Sequence, residues 1–399
     1  MKYKIKFITV TLISILLNLS LAGCWNSREL NSLAFATSMG FDKTENGILL
    51  TVQVFNPRAI ASQKSVNETS VIVYTEQGKD AMEIIRRMIT QSPRKINVTH
   101  LQTIVFSEEF AKDGISDVLD FFSREHQFRT DLYFAVAKES SASNILNTLT
   151  KLDTNPSDKL FSSIKSSDQV WAGSRSVKII ELTNSIIADG KSAVLTGVEV
   201  IENSKDKDTV ETLEEMKTDP VQIEGLAVFQ KDKFVGWLNE DESKGYNYIM
   251  GTVPSTVGYV EDKSIAKVTL EVTGTNTKQK ADVLNGKPAI NVDIDVNANI
   301  EGTNAEFDVT KEENIKKIEK LAEDKVRKLC DEVLEKAQKN LDSDIFGFGE
   351  VIHRANPNLW RSLKNNWDQK FTNLPVNLNI TYKIRGTGTI TKSFFTKEK

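Results

Sequence analysis

Side chains that bind soft metals or form cross-links are scarce in this chain. Its 399 residues include two cysteines and three histidines, too few for a disulfide framework or a structural zinc site. Charge of one sign is not in excess either: 51 Lys and Arg face 55 Asp and Glu, a formal net charge of −4. A dedicated nucleic-acid binder needs a clustered basic surface to neutralise phosphates, so that class is excluded. Long hydrophobic runs are missing. As a helix, residues 7–22 would cover about 24 Å, short of the ~30 Å hydrocarbon core of a bilayer. Catalytic signatures are missing as well. There is no H-E-x-x-H, no G-x-S-x-G, no P-loop and no G-x-G-x-x-G after a strand. Gly347-Phe348-Gly349 and Gly386-Thr387-Gly388 lack the rest of a phosphate cradle and read as turns or close-packed strand ends. The expectation is therefore a chain without metal or cofactor that is not an enzyme.

What is present is the composition of a globular body: 39% hydrophobic, 27% charged and 8% aromatic residues, enough to bury two or three cores. The N-terminus is distinctive. Lys2, Lys4 and Lys6 precede an apolar run over 7–19, which ends in Leu21, Ala22, Gly23 and Cys24. Positive start, apolar stretch and small residues make a secretory signal, 1–23. The cysteine stands where a bacterial lipobox needs a thiol to carry diacylglycerol. Two or more acyl chains anchor stably where one does not. Cleavage before Cys24 removes three lysines, leaving 48 basic against 55 acidic residues, or −7. Only about eight residues then separate the anchor from the first strand, a tether of at most about 28 Å, so the body works beside something in the membrane.

Periodicity supplies the organisation. Residues 48–54 alternate as a half-buried strand that pairs back on 33–41, and strands and helices then alternate to about residue 202. Residues 203–220 are almost wholly polar and read as a linker between an N-terminal α+β domain, 24–202, and a C-terminal α+β region, 221–395, with a further split near 260. Within the second region, 223–229 and 234–237 read as a hairpin, and Asn239 with Glu242 as a helix cap and its reciprocal carboxylate. Ile290, Val292, Ile294, Val296, Ala298 and Ile300 alternate without error, as do Val376, Leu378, Ile380, Tyr382 and Ile384; a long charged helix over 313–340 lies between them. The fold class is thus α+β in two to three mixed domains, the last an antiparallel-type sheet with a long packed helix.

Few residues remain as candidates. His100, His126 and His353 have no partner at ligand spacing, and a brace for a loop suits His353 beside Arg354 better than acid–base work. Cys330 on the long helix reads as a buried, inert thiol. Trp360, Leu363, Trp367 and Phe371 recur at helical spacing and read as core. Trp25, Arg28 and Glu29, between anchor and body, are candidate contacts with partner or membrane.

Four stretches carry a family resemblance. They are Cys24-Trp25 with Arg28-Glu29-Leu30-Asn31; Gly236-Trp237-Leu238 with Glu240, Glu242, Ser243, Lys244 and Gly245; Asp344-Ile345-Phe346-Gly347-Phe348-Gly349 leading to His353, Arg354, Pro357, Trp360 and Trp367; and Lys383-Ile384-Arg385 with Gly388 and Ile390. Together they resemble the C subunit of spore germinant receptors, the Ger(x)C or GerAC-like lipoproteins, over essentially the whole mature chain. The resemblance implies three α+β domains and no enzymatic activity. It also implies lipid anchoring at Cys24 on the outer face of the spore inner membrane, and work with two integral membrane partners, the A and B subunits, in nutrient-triggered germination. The competing reading is a substrate-binding lipoprotein of a nutrient importer. The antiparallel-looking alternation of the last domain and the lack of a repeat between halves speak against it.

Overall fold

The computed structural model describes residues 2–21, 30–57, 69–150, 155–201, 219–263, 265–284, 287–303, 308–309 and 311–387. Cys24, Trp25, Arg28, Glu29, Gly388, Ile390 and nearly all of 203–220 lie outside them. Helix α1 (Lys2–Leu21) comes first. Among the described residues no helix is long and apolar enough to cross a membrane.

The first sheet holds β1 (Leu33–Thr44), β2 (Gly47–Phe55), β3 (Val71–Gly78), β4 (Lys95–Asn97), β5 (Thr103–Ser107), β6 (Tyr133–Ala137), β7 (Val194–Val200), β8 (Val221–Gln230) and β9 (Lys233–Leu238). Their order is β3-β2-β1-β5-β6-β7-β8-β9, with β4 beside the start of β1. The hairpin expected at 33–54 forms, with Phe41 opposite Leu50. Strands β1, β5, β6 and β7 run parallel, because the chain crosses over between them through helices α2 (Ala81–Arg87), α3 (Glu108–Asp113), α4 (Ser116–Arg124), α5 (Ala142–Asn147), α6 (Pro156–Val170) and α7 (Ile179–Ile187). Every residue of β5 and β6 is buried, as expected of strands covered on both faces. Helix α6 was not read from the sequence, although its start is well marked: the Asn155 side chain accepts a hydrogen bond from Ser157 N, and Pro156 follows in the first turn.

The hairpin β8–β9 belongs to this first sheet, although the sequence reading groups it with the C-terminal region. Val200 pairs with Val221 and Leu195 with Ala227, so the sheet continues past the polar run. A polar run that connects antiparallel neighbours has the composition of an interdomain linker, and composition does not separate the two.

Helix α8 (Glu240–Met250) follows, with the capping box in place: Glu242 N donates to the Asn239 side chain, and Asn239 N to the Glu242 carboxylate. The second sheet, β10 (Thr256–Asp262), β11 (Ile265–Leu284), β12 (Lys287–Thr303) and β13 (Val376–Gly386), keeps that order. Position 260 falls inside β10. The sheet is antiparallel through β12, but β13 lies parallel to it. The reason is the long crossover from β12 to β13 through α9 (Glu312–Glu335), α10 (Phe348–Ala355), α11 (Pro357–Leu363) and α12 (Trp367–Phe371).

Helix α9 packs on the inner face, burying Ile318, Ala322, Val326 and Val333 against Ile290, Val292, Ile294 and Val296. It also covers the sheet edge. Glu319 accepts from Ile384 N at 2.9 Å and Glu323 from Tyr382 N at 3.4 Å, while Arg327 donates to Leu378 O at 3.0 Å. Side chains one helical turn apart thus take the place of a neighbouring strand. The same core includes Leu226, Val228 and Leu238 of β8 and β9, so the two sheets share buried surface.

Candidate functional site

The densest cluster of distinctive residues lies where the crossover meets the first sheet. After α9 a single π-turn, Lys336–Asn340, redirects the chain, and Gly347 adopts φ +73°, a left-handed conformation that glycine takes without penalty. That turn sets the start of α10 against the side chain of Asp344. One carboxylate oxygen, Oδ1, accepts from Phe348 N at 3.1 Å; the other, Oδ2, accepts from Gly349 N at 2.8 Å and from Trp367 Nε1 at 3.0 Å. A carboxylate is well placed here, since the first N–H groups of a helix have no intrahelical partner. Asp344 is 1% exposed. Burial pushes its pKa up to about 7, against the lowering effect of the donated hydrogen bonds.

The rest of the cluster packs around this carboxylate. The rings of Phe346 and Phe348 stack at 5.0 Å, and Trp360 meets Trp367 edge-on at 5.2 Å. Gly349 presses against Gly190 in the loop before β7, and Glu350 N donates to Gly190 O at 3.3 Å. Ser192 N donates to Asp344 O at 2.7 Å. Gly236 on β9 lies beneath Leu341: a Cβ there would stand 2.6 Å from Leu341 Cδ2.

Phe346, Gly347, Gly349, Trp360 and Trp367 therefore come together, and Gly236 adjoins them. Trp237 does not. It faces the other side of the first sheet, where its Nε1 donates to Glu108 at 3.1 Å. His353 and Arg354 are exposed; His353 stacks on Trp360 at 5.9 Å, and Arg354 sits 4.0 Å from Glu350. Cys330 is fully buried, and burial raises its thiol pKa. Trp25, Arg28, Glu29 and Cys24 are outside the described residues.

Two participants were missed as sites in the sequence. Gly190 gave no signal, because its constraint is a contact with residue 349. Asp344 gave one, an acidic residue four and five positions before the amides it caps. Asp42 repeats the device: its oxygens accept from Ala142 N and Ser143 N, each at 2.8 Å. Among the described residues, no three His, Cys, Asp or Glu side chains are grouped to hold a metal ion. The Asp344 carboxylate is engaged by the protein's own donors. The arrangement locks the crossover to the first sheet. Beside it opens a polar groove of about 660 Å³, lined by Asp131, Lys178, Glu181, Lys191 and Glu350 among others.

Comparison with known proteins gives concordant matches. The family described as spore germination protein N-terminal domain matches residues 26–200, and the family described as spore germination B3/GerAC like, C-terminal, matches 224–388. Spore germination protein KC of Bacillus subtilis (strain 168) is 30% identical over 392 residues, covering 94% of this chain and 96% of its own length. Spore germination protein B3 of the same organism is 24% identical, with the same two coverages. Spore germination protein GerQC of Bacillus cereus is 20% identical over 94% of this chain and 97% of its own length. The crystal structure of the GerBC protein superimposes with a TM-score of 0.57 at 20% identity, covering 90% of this chain and 99% of that one. This likeness shows the shared fold.

Proposed function

We propose, from the premise that this chain belongs to the GerAC-like family of spore germination proteins, that it is the non-enzymatic C subunit of a nutrient germinant receptor. In this reading Cys24 carries the lipid that fixes the body to the outer face of the spore inner membrane. The body assembles there with integral membrane A and B subunits and serves nutrient-triggered germination. Its two α+β units act as one, because β8 and β9, on the C-terminal side of the polar run, complete the first sheet and share a core with the second.

The observation that carries the reading is the end-to-end match with spore germination protein KC, 94% of one chain and 96% of the other. The chemistry around Asp344 supports a scaffolding part. A carboxylate that meets two backbone amides and an indole N–H already serves three donors of the fold. The test is affinity purification of the chain from solubilised spore membranes. Recovery of two integral membrane germination subunits with it is the expected outcome. Recovery of the chain alone from spores that contain such subunits counts against the reading.

A further inference from the structure

Residues 86–95 read Arg-Arg-Met-Ile-Thr-Gln-Ser-Pro-Arg-Lys, four cations and no acid, in a chain of net charge −4. The fold sets this segment beside an apolar groove of about 360 Å³, bounded by α2 and the turn after it, by β4, and by α4 with the loop that follows. Ile89, Ile96, Phe121 and Phe128 are among the residues that line it, and Arg86, Lys95 and Glu125 add charge. Ile89 is 51% exposed, so the lip of the groove offers water an apolar side chain.

Its charges are unevenly satisfied. Arg87 is held by Glu76 at 3.2 Å and Glu83 at 3.7 Å. The Glu125 carboxylate accepts from Gln127 N at 3.2 Å and faces His126 at 3.5 Å. Arg86 and Lys95 have no carboxylate partner among the described residues. The groove therefore combines an apolar floor with two available cations.

Location selects the occupant. Lys95 pairs with Leu33 at the start of β1, and Cys24 is nine residues upstream of Leu33. At about 3.5 Å per extended residue, the groove stands within roughly 31 Å of the anchoring position, at the end of the body where the tether leaves.

We propose that this groove receives an anionic phospholipid of the membrane to which the chain is tethered. The acyl chain lies along Ile89, Phe121 and Phe128, and the phosphate meets Arg86 and Lys95. Guanidinium and ammonium groups suit phosphate oxygens, basic residues near an anionic leaflet add attraction, and the volume falls in the range of small-ligand sites. The inference rests on the membrane-anchored reading, since an untethered body would have no lipid at this distance. Bound lipid would orient the body, with β4 and α2 toward the bilayer.

The experiment reconstitutes the mature chain in phosphatidylcholine vesicles doped with phosphatidylglycerol that carries a diazirine at one acyl terminus. Illumination is followed by peptide mapping. Labelled peptides from 82–98 and 121–128 are expected. Labelling should fall roughly tenfold in the double variant R86E/K95E, whose two positions are exposed and whose thermal midpoint should match the parent's. A diazirine on phosphatidylcholine should label the same peptides far less. A vesicle-bound chain with no labelling in these stretches, or with labelling unchanged by charge reversal, overturns the inference and leaves the anchor untouched. If the chain leaves the vesicles, the anchored reading has failed separately. Titration of the same chain with soluble dihexanoyl phosphatidylglycerol then decides the groove: saturable binding lost in R86E/K95E supports it, and absence of binding overturns it.

Discussion

Gly349 and Gly190 meet so closely that a Cβ added to Gly349 would stand 2.6 Å from the Cα of Gly190 and 2.8 Å from Cη2 of Trp360. Two backbones, one from the C-terminal crossover and one from the loop before β7, touch because neither residue has a side chain. The contact explains the second glycine of Gly347-Phe348-Gly349, as the left-handed turn explains the first.

Replacing Gly349 by Ala should therefore cost about 3 kcal/mol or more, since the added methyl meets backbone and a buried indole that have no room to retreat. Gly258→Ala is the control. The nearest atom to its added Cβ is Lys325 Nζ at 4.0 Å, and it should shift stability by about 0.5 kcal/mol at most. Chemical denaturation of both variants reads the difference.

Asp344→Asn keeps the shape of the side chain but turns an amide N–H toward one of three donors, at a cost of about 2–4 kcal/mol. Its pH dependence has a definite sign. The folded pKa of Asp344 is raised from 3.8 to about 7, so the folded state holds the proton more tightly than the unfolded state. The parent's stability from this group is complete below the unfolded value and falls as pH rises through the folded one. The stability gap between parent and D344N should narrow from about pH 4 to pH 7 and stay level above that. A gap that widens with pH would mean that the three donors hold the carboxylate ionised.

Helix α9 covers the β13 edge through Glu319, Glu323 and Arg327. Glu319→Ala with Glu323→Ala should release the N–H groups of Ile384 and Tyr382, each at about 1 kcal/mol, and leave a strand edge open to pairing. Sedimentation velocity should show concentration-dependent self-association in the double variant and none in the parent.

Cys24→Ala should move the chain from the membrane pellet to the soluble fraction when processed cells are fractionated. A variant pelleted as fully as the parent would remove the lipid anchor from the proposed function. Arg28→Glu, close to the anchor, should reduce recovery of membrane partners and leave the thermal midpoint unchanged. A degraded or unfolded variant would place Arg28 in the fold instead.

Much of this was legible in residue order, because its causes are local. The alternation from Ile290 to Ile300 marks a strand with one buried face, and Asn239 with Glu242 marks a capped helix start. The heptad-like spacing of Ile318, Ala322, Val326 and Val333 marks the buried stripe of α9. Each follows from 2.0- or 3.6-residue geometry acting over a few neighbours. Partnership was not legible. That β8 and β9 complete the first sheet, that β13 runs parallel to β12, and that Gly190 is the counterpart of Gly349 are facts about segments far apart in the chain. The sequence by itself marked most of the elements, though not α6, together with the absence of known catalytic signatures and the position of Cys24 after an apolar run. Only the tertiary structure decided which strands pair, that Asp344 is buried under three donors, and that Arg86 and Lys95, without a carboxylate partner among the described residues, flank an apolar groove, because burial and contact depend on packing between distant segments.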